Sequence, residues 1–489
     1  MSSELSRTEL SCLITHKKGF AFKSKDYIPS GVPVVRVSNF TWDSISTDDL
    51  RYVSHEVASS TKVVQLNEYD VIVATVGSWP QNPDSIVGKV VRVPCPLSGA
   101  LLNQNTVRLR VNDDNLVNQK YLYIALKTKE FSDHLISKAQ GSANQASITL
   151  SDIFSYAIPW GTYTQRKYIV NVIDSINDKI VIANQINQTL EQMAQTLFKS
   201  WFVDFEPVKA KIAVLEAGGS QEEATLAAMT AISGKDADAL AVFEREHPEQ
   251  YAELKATAEL FPSAMQESEL GAIPEGWDIK NIKSMSVALS KGTTPAKKDL
   301  SSEENKDINF LKVKDIGDDG RINFCNLDKI SKRVHEMVLK RSVLQSNDIL
   351  FSIAGTIGRV AVVASDMLAC NCNQAIAFIR LKNCASHLNL VRLNLQSPRI
   401  QQEVESKVVQ GVQANLSLTA LGELEVVLPS DCVLIAFNNV ITPMWEHKLS
   451  ITKSIMLLTQ FRDTLLPKLL SGEITLPEAE QAISEAENV

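Results

Sequence analysis

The sequence predicts an α+β protein built as an internal repeat, with two similar domains separated by two long antiparallel helices about a pseudo-two-fold axis. Three observations predict it. A ten-residue phrase occurs twice, QGSANQASIT at 140–149 and QGVQANLSLT at 410–419, each followed by a proline, Pro159 and Pro429. An Asn-Gln turn running into an alternating strand also occurs twice, NQNTVRLRV from Asn103 and NQAIAFIRL from Asn373. Each half then closes on a long stripe of apolar residues at three- and four-residue spacing.

The bulk composition agrees with this division. A chain of 489 residues exceeds what one compact core accommodates. It is 44% hydrophobic and 22% charged, with no apolar run long enough to span a bilayer and no apolar stretch of signal-peptide type in its opening MSSELSRTELSC. Its seven cysteines are an odd number without regular spacing, which argues against a disulfide framework. A reduced, cytoplasmic protein without membrane association is expected. The net charge of −8 is unevenly spread: residues 204–272 hold 14 acidic and 5 basic residues, and 473–489 hold five acidic residues and no basic ones. The remainder carries +6, so the two domains can still present basic surfaces.

The first domain, residues 1–160, reads as short strands separated by Gly, Pro, Asn and Asp turns. VVRVSNF in it resembles FLKVKDI of the second domain, and Lys18-Gly19 resembles Lys291-Gly292. YDVIVATVG aligns with NDILFSIAG at a shift of 278, whereas Gly88, Asn103, Gln104 and Arg110 align with Gly358, Asn373, Gln374 and Arg380 at a shift of 270. The first domain therefore holds eight extra residues within SWPQNPDSIV. The repeated phrase reads as a loop rich in hydrogen-bonding side chains.

Residues 161–205 follow as a long helix, with Ile169, Ile173, Ile176, Ile180, Leu190 and Leu197 on a coiled-coil seam. Asn187 falls on that seam, where a polar residue lowers stability and sets register. Residues 206–272 form an acidic helical connector whose short helices break at Gly218-Gly219 and at Pro248. The second domain spans 273–431, a second long helix 432–474 and an acidic tail 475–489. Met444, Ile451, Ile455, Leu458, Leu465 and Leu469 make its stripe, and AQTLFKS echoes RDTLLPK. Two matched stripes in a duplicated chain are expected to pair with each other.

At TLEQMAQTLFKSWFVDFEPVKAK and TQFRDTLLPKLLSGEI the chain resembles the specificity subunits of Type I restriction-modification systems, and the resemblance extends over nearly all of it. The two domains then correspond to target-recognition domains and the helices to the family's conserved spacers. The resemblance implies a non-catalytic subunit that reads one half of a split double-stranded DNA sequence with each domain. It also implies two modification subunits, which bind S-adenosylmethionine and methylate adenine, and restriction subunits that complete the nuclease. On that view Asn187, Leu190, Leu197, Trp201, Leu458, Leu465 and Leu469 belong to the spacer or partner-binding helices. The connector is longer than is usual in the family.

The residue chemistry matches such a role. Lysine and arginine neutralise phosphates, while forked amide and guanidinium groups read base edges. The first domain offers Lys18 and Lys25, then Arg36, Ser38 and Asn39. The second offers Lys291, Lys297, Lys298, Lys312 and Lys314. Gln140, Ser142 and Asn144, with Gln410, Gln413 and Asn415, are the amide and hydroxyl candidates of the repeated phrase. Asn and Gln at the same place in both halves serve either as turn formers or as DNA contacts, and side chains common to two domains that read different sequences discriminate poorly. The unshared insert, with Ser78, Trp79, Gln81 and Asn82, is the better candidate for specificity.

Patterns for catalysis are missing. The sequence has no Walker A, HExxH or GxSxG pattern, no GxGxxG after a strand, and no Asn-Pro-Pro-aromatic signature. Cys370 and Cys372 lack a second pair at zinc spacing, so they read as core thiols and no metal or cofactor is expected in this chain. A scaffold whose helices bind proteins and whose domains bind no DNA is the alternative, distinguished by the salt dependence of duplex binding.

Overall fold

The computed structural model describes residues 5–474, apart from 42–43, 80–86, 143–144, 301–304, 324–326, 368 and 409–413. The chain divides into two compact units, one made of 1–183 with 453–489 and the other of 184–452.

The first unit is centred on a four-stranded antiparallel sheet in the order Ile14–Lys18, Thr106–Val111, Val71–Ala74, Val90–Arg92. Along Thr106–Val111, Val107, Leu109 and Val111 are buried and Arg108 and Arg110 are half-buried, the two-residue period of a strand with one apolar face. Val71–Ala74 is a continuous apolar run because both its faces are covered. Val71 and Val73 face a core shared with helices, whereas Ile72 and Ala74 face a second core. A second sheet, Tyr27–Ile28, Arg51–Val53, Val32–Val35, Leu101–Leu102, ends in a parallel pair and encloses that second core.

The second unit repeats this plan. Its central sheet runs Ser286–Lys291, Ile376–Leu381, Ile349–Ser352, Val360–Val362. Lys306–Leu311 pairs in parallel with Cys370–Cys372 as Val32–Val35 does with Leu101–Leu102. Immediately before each long helix a strand pairs back to the start of its domain, Ala157–Pro159 with Arg7–Glu9 and Glu425–Leu428 with Asp278–Asn281. The duplication read from sequence is thus a duplication of topology. Cys370 and Cys372 are buried within this sheet, and burial pushes the Cys370 thiol up to about 12 and Cys372 higher still, as expected of inert core thiols.

Each unit also contains the same buried ion pair. Arg110 grips Asp70 through Nε and Nη2, the latter at 2.7 Å, and Arg380 grips Asp348 at 2.8 and 2.7 Å. The remaining carboxylate capacity accepts a backbone N–H three residues earlier, from Asn67 at 2.6 Å and from Gln345 at 2.7 Å. Both aspartates are almost fully enclosed. The network ties the turn before the central strand to its neighbouring strand, and its residues follow the two repeat shifts, Asp70 to Asp348 at 278 and Arg110 to Arg380 at 270.

Two long helices complete the architecture, Tyr163–Phe202 and Asp431–Ser471. The first opens with a reciprocal cap, the Thr162 N–H donating to Gln165 Oε1 at 2.8 Å and the Gln165 N–H to Thr162 Oγ1 at 3.3 Å. Both helices run through the boundary between the units, which falls after Ala183 in one and before Lys453 in the other. In the first unit Ile169, Ile173 and Ile176 share a core with Leu465 and Leu469, and Arg462 donates to Asn177 at 2.9 Å. In the second, Asn187 Nδ2 donates to Thr452 Oγ1 at 3.1 Å and Lys448 to Glu191 at 2.7 Å. Rising numbers on one helix meet falling numbers on the other, so the pairing is antiparallel.

The central helix ends in an aromatic anchor. Trp201, Phe202 and Phe205 of the SWFVDFEPVK stretch pack with Phe261, Trp277 and Phe437, with the Trp201 and Phe261 rings edge-on at 5.0 Å. Trp201 is 1% exposed, so its indole serves the chain's own core. The acidic connector folds as four helices, Glu206–Glu216, Gln221–Ser233, Ala237–Glu246 and Pro248–Glu259. It is fastened at its base by Lys211, whose buried ammonium donates to the carbonyls of Phe261 at 2.5 Å and Ala258 at 3.3 Å.

Candidate nucleic-acid interface

The strand registers decide which polar side chains come together. In the first unit Lys18 stands opposite Val107, and Thr106 opposite Ala74. The end of Ile14–Lys18, the start of Thr106–Val111 and the end of Val71–Ala74 therefore share one end of the sheet. Three segments leave from that end: Lys18-Gly19-Phe20, the Asn103–Asn105 turn, and the Val76–Gly77 strand leading into Ser78 and Trp79. The Asn103 N–H bonds the Val35 carbonyl at 3.0 Å, which brings the Arg36–Asn39 turn to the same end.

The repeated phrase joins them, though as a hairpin and not as the loop expected from its composition. Gln140–Ser142 pairs with Gln145–Ser147, which pairs in turn with Val76–Gly77. Pairing with a strand distant in sequence overrides the turn-like propensities of Gly, Ser and Asn. Trp79 Nε1 donates to the Ser142 carbonyl at 2.7 Å and holds the hairpin against the insert. Gln140 and Ser142 are exposed. Asn144 of the phrase, with Gln81 and Asn82 of the insert, lies outside the described residues, as do Gln410 and Gln413.

The second unit assembles the corresponding end. Lys291-Gly292-Thr293 leaves the strand beside the Asn373–Ala375 turn, the Asn373 N–H bonds the Leu311 carbonyl at 2.9 Å, and Lys312 and Lys314 follow on the next turn. Asn415 bridges to Ala354, beyond the strand matching Val71–Ala74. The Thr294 hydroxyl bonds Gln374 Oε1. Lys297 and Lys298, both exposed, open the short helix Lys297–Leu300 shortly after.

The shared glycines have a steric reason. A Cβ on Gly19 would overlap the carbonyl oxygen of Asn103, and one on Gly292 the carbonyl oxygen of Cys372, so only glycine lets this segment lie against the turn.

The geometry separates the candidates. Lys18, Lys25, Ser38, Lys291 and Lys297 are exposed. Lys25 stands on the turn Ser24–Asp26. Arg36 is half-buried and paired with Asp49 at 3.2 Å. Lys312 pairs with Asp328, which Lys314 approaches to 4.0 Å. Asn39 is a correction. It is 3% exposed, its Oδ1 accepts the Arg36 N–H at 3.0 Å and its Nδ2 donates to the Asp49 carbonyl at 2.9 Å, so it caps its own turn and is enclosed where a base edge does not reach. Asp315 caps the matching turn by accepting the Lys312 N–H at 2.8 Å, and burial raises its carboxyl above the usual range.

On the helices, Asn187, Leu465 and Leu469 are buried, and Leu190, Leu197 and Leu458 are half-buried. All six lie along the paired helices. The sequence reading missed the Asp70–Arg110 and Asp348–Arg380 pairs. Its two alignment shifts, taken together, carry that signal. It also missed Phe20, whose signal is its place directly after the Lys-Gly doublet.

The chain matches the family described as the Type I restriction modification DNA specificity domain twice, over residues 8–192 and 274–432. It is 32% identical over 369 residues to the Type I restriction enzyme HindI specificity subunit of Haemophilus influenzae, covering 74% of this chain and 78% of that one. It is 25% identical over 421 residues to the EcoBI specificity subunit of Escherichia coli, covering 84% and 73%. Among solved structures it aligns with the Type I restriction-modification S subunit from M. genitalium over 95% of this chain and 96% of that one, at 12% identity and a TM-score of 0.44. Two matched domains, each followed by a long helix, thus coincide with two matches to one family: the chain belongs to the Type I restriction-modification DNA specificity family.

Proposed function

We infer that this chain recognises the DNA target of a Type I restriction-modification system and reads it in two parts, one with each unit. The observation that carries the reading is the pair of matched sheet ends, each gathering a lysine, an Asn-Gln turn and a short polar segment. The shared lysines, Lys18 and Lys291, suit phosphates, whose contacts set affinity and register without sequence information. Amides suit adenine edges. Ser38, Ser78, Gln140, Ser142, Lys297, Lys298 and Asn415 are further candidate contacts among the described residues. Asp49 neutralises Arg36, whereas Lys312 and Lys314 share the one carboxylate of Asp328 and keep part of their positive field.

The chain is a non-catalytic specificity subunit, and methylation and cleavage belong to other subunits of the system. Two modification subunits and the restriction subunits are the partners proposed, with S-adenosylmethionine bound by the former and no cofactor in this chain. Among the described residues no helix is long and apolar enough to cross a membrane, and a cytoplasmic location is proposed. The paired helices act as a spacer: at about 1.5 Å per residue, 40 residues make a rod of about 60 Å. Adding one helical turn beside Asn187 and a matching turn in the partner helix is expected to widen the unread gap in the target and leave both half-sites as they were.

The test is to purify the chain with its methyltransferase subunits, map the modified adenines and measure duplex binding against salt. A split methylated sequence and affinity falling steeply with salt support the reading. Indifference to DNA in the full complex refutes it and favours the scaffold.

A further inference from the structure

Two domains that share a backbone frame and read different sequences must differ where exposed side chains stand on that frame. One such position follows the shared glycine. The Phe20 N–H bonds the Leu102 carbonyl at 2.8 Å, and the Thr293 N–H bonds the Cys372 carbonyl at 3.1 Å. The glycine before each donates to the neighbouring strand at 3.0 Å, Gly19 to Thr106 and Gly292 to Ile376. Leu102 and Cys372 correspond at the repeat shift of 270, as do Thr106 and Ile376, so Phe20 and Thr293 occupy one place in two copies of the frame.

Their side chains are unlike. Phe20 is 43% exposed and Thr293 is exposed. The Phe20 ring is held on one side by Phe22, edge-on with centroids 5.0 Å apart, and Phe22 is buried in the second core of its unit. Its backbone bridges to Asn103, in the turn that also presents Gln104. A single exposed Phe is ordinary on a protein surface. This one is braced by Phe22 at the end of the sheet from which the segments carrying Lys18, Asn103 and Trp79 leave.

We propose that the residue after the shared glycine is a specificity-determining position in each domain, and that Phe20 reads the C5-methyl group of a thymine in the half-site of the first unit. An apolar ring cannot hydrogen-bond a base edge, and the thymine methyl is the one apolar mark in the major groove. Thr293 is shorter and carries a hydroxyl beside its methyl, so it meets its base with a different reach and a different chemistry. The inference rests on the DNA-reading function above and adds to it the chemistry read at one position.

The experiment uses the full complex with its methyltransferase subunits and duplexes in which each thymine of the target is replaced in turn by uracil, which lacks only that methyl. Binding is measured for the parent chain, Phe20→Thr and Phe20→Leu. The parent is expected to lose about fourfold in affinity at one thymine of one half-site, the worth of about one buried methyl. Phe20→Thr, whose methyl stops short of where the ring ends, abolishes that response and leaves the other half-site and the salt slope unchanged, and Phe20→Leu, which reaches further, retains part of it. A parent that responds to no uracil, or a Phe20→Thr chain that keeps the parent's response, overturns the proposal. So does a Phe20→Thr chain weakened equally on all sequences, which marks a general packing role. A parent complex without any preference between target and random duplex refutes the DNA-reading function itself, a different failure.

Discussion

Replacing Arg380 by Met probes the ion pair that both units contain. Asp348 is 0% exposed and accepts two charge-assisted bonds from Arg380 and one from the Gln345 N–H. Without the guanidinium the carboxylate keeps a single neutral donor in an enclosed site. Removing one partner of a buried pair costs about 3–5 kcal/mol, and the absence of any exposure at Asp348 places Arg380→Met toward the upper end. Asp348→Ala is milder, about 3 kcal/mol, because the side chain of Arg380 is 25% exposed and its guanidinium can turn to water. A double replacement, Asp348→Leu with Arg380→Met, leaves no charge behind and is milder than Arg380→Met alone. At about 2–4 °C per kcal/mol for a unit of this size, Arg380→Met lowers the melting midpoint of the second unit by about 10 °C. Differential scanning calorimetry of the full chain reads this. The reasoning fails if Arg380→Met melts within about 2 °C of the parent, or if Asp348→Ala is the more damaging change.

Further predictions concern the frame and the helices. Gly19→Ala and Gly292→Ala each force the segment off its turn, cost about 1–3 kcal/mol, and weaken duplex binding in a fluorescence titration while the opposite half-site keeps its selectivity. Trp201→Ala empties the centre of the aromatic anchor and costs about 3–5 kcal/mol, measured by urea unfolding. Thr452→Val strands the Asn187 amide on the seam and costs about 1–2 kcal/mol, and Asn187→Leu added to it restores that stability. Burial raises the Glu191 carboxyl, but Arg392 and Lys448 outweigh it, and the net shift is downward. A depressed folded pKa stabilises above the unfolded value and is lost as pH falls through the folded one. The parent is therefore expected to lose stability below about pH 4.3, and Glu191→Gln to lose less over the same interval in acid-unfolding curves.

Much of the fold was legible because its signals are local or repetitive. Hydrophobic periodicity marks long helices within 161–205 and 432–474, where the chain forms Tyr163–Phe202 and Asp431–Ser471, and the repeat shifts expose the duplicated domains. Gly218-Gly219 and Pro248 mark two of the connector's three breaks, and the third, at Gly234–Asp236, was not read from sequence. The candidate site was legible only in outline, since composition names residues able to touch DNA without saying which of them the fold consumes. Asn39 and Ser38 are neighbours with similar propensities, yet one is enclosed as a cap and the other exposed.

What the sequence by itself determined is therefore the repeat, the two long helices, the chemical class of the candidate surface and the family. Tertiary structure decided that Gln140–Ser142 pairs with Gln145–Ser147, that Asp348 meets Arg380 across 32 positions, and that Phe20 stands with Lys18 and Trp79 at one sheet end. The physical reason is the range of the interactions. Helical and strand periodicity express contacts between near neighbours in the chain, whereas burial and strand register depend on segments far apart in sequence that meet only after the chain has folded.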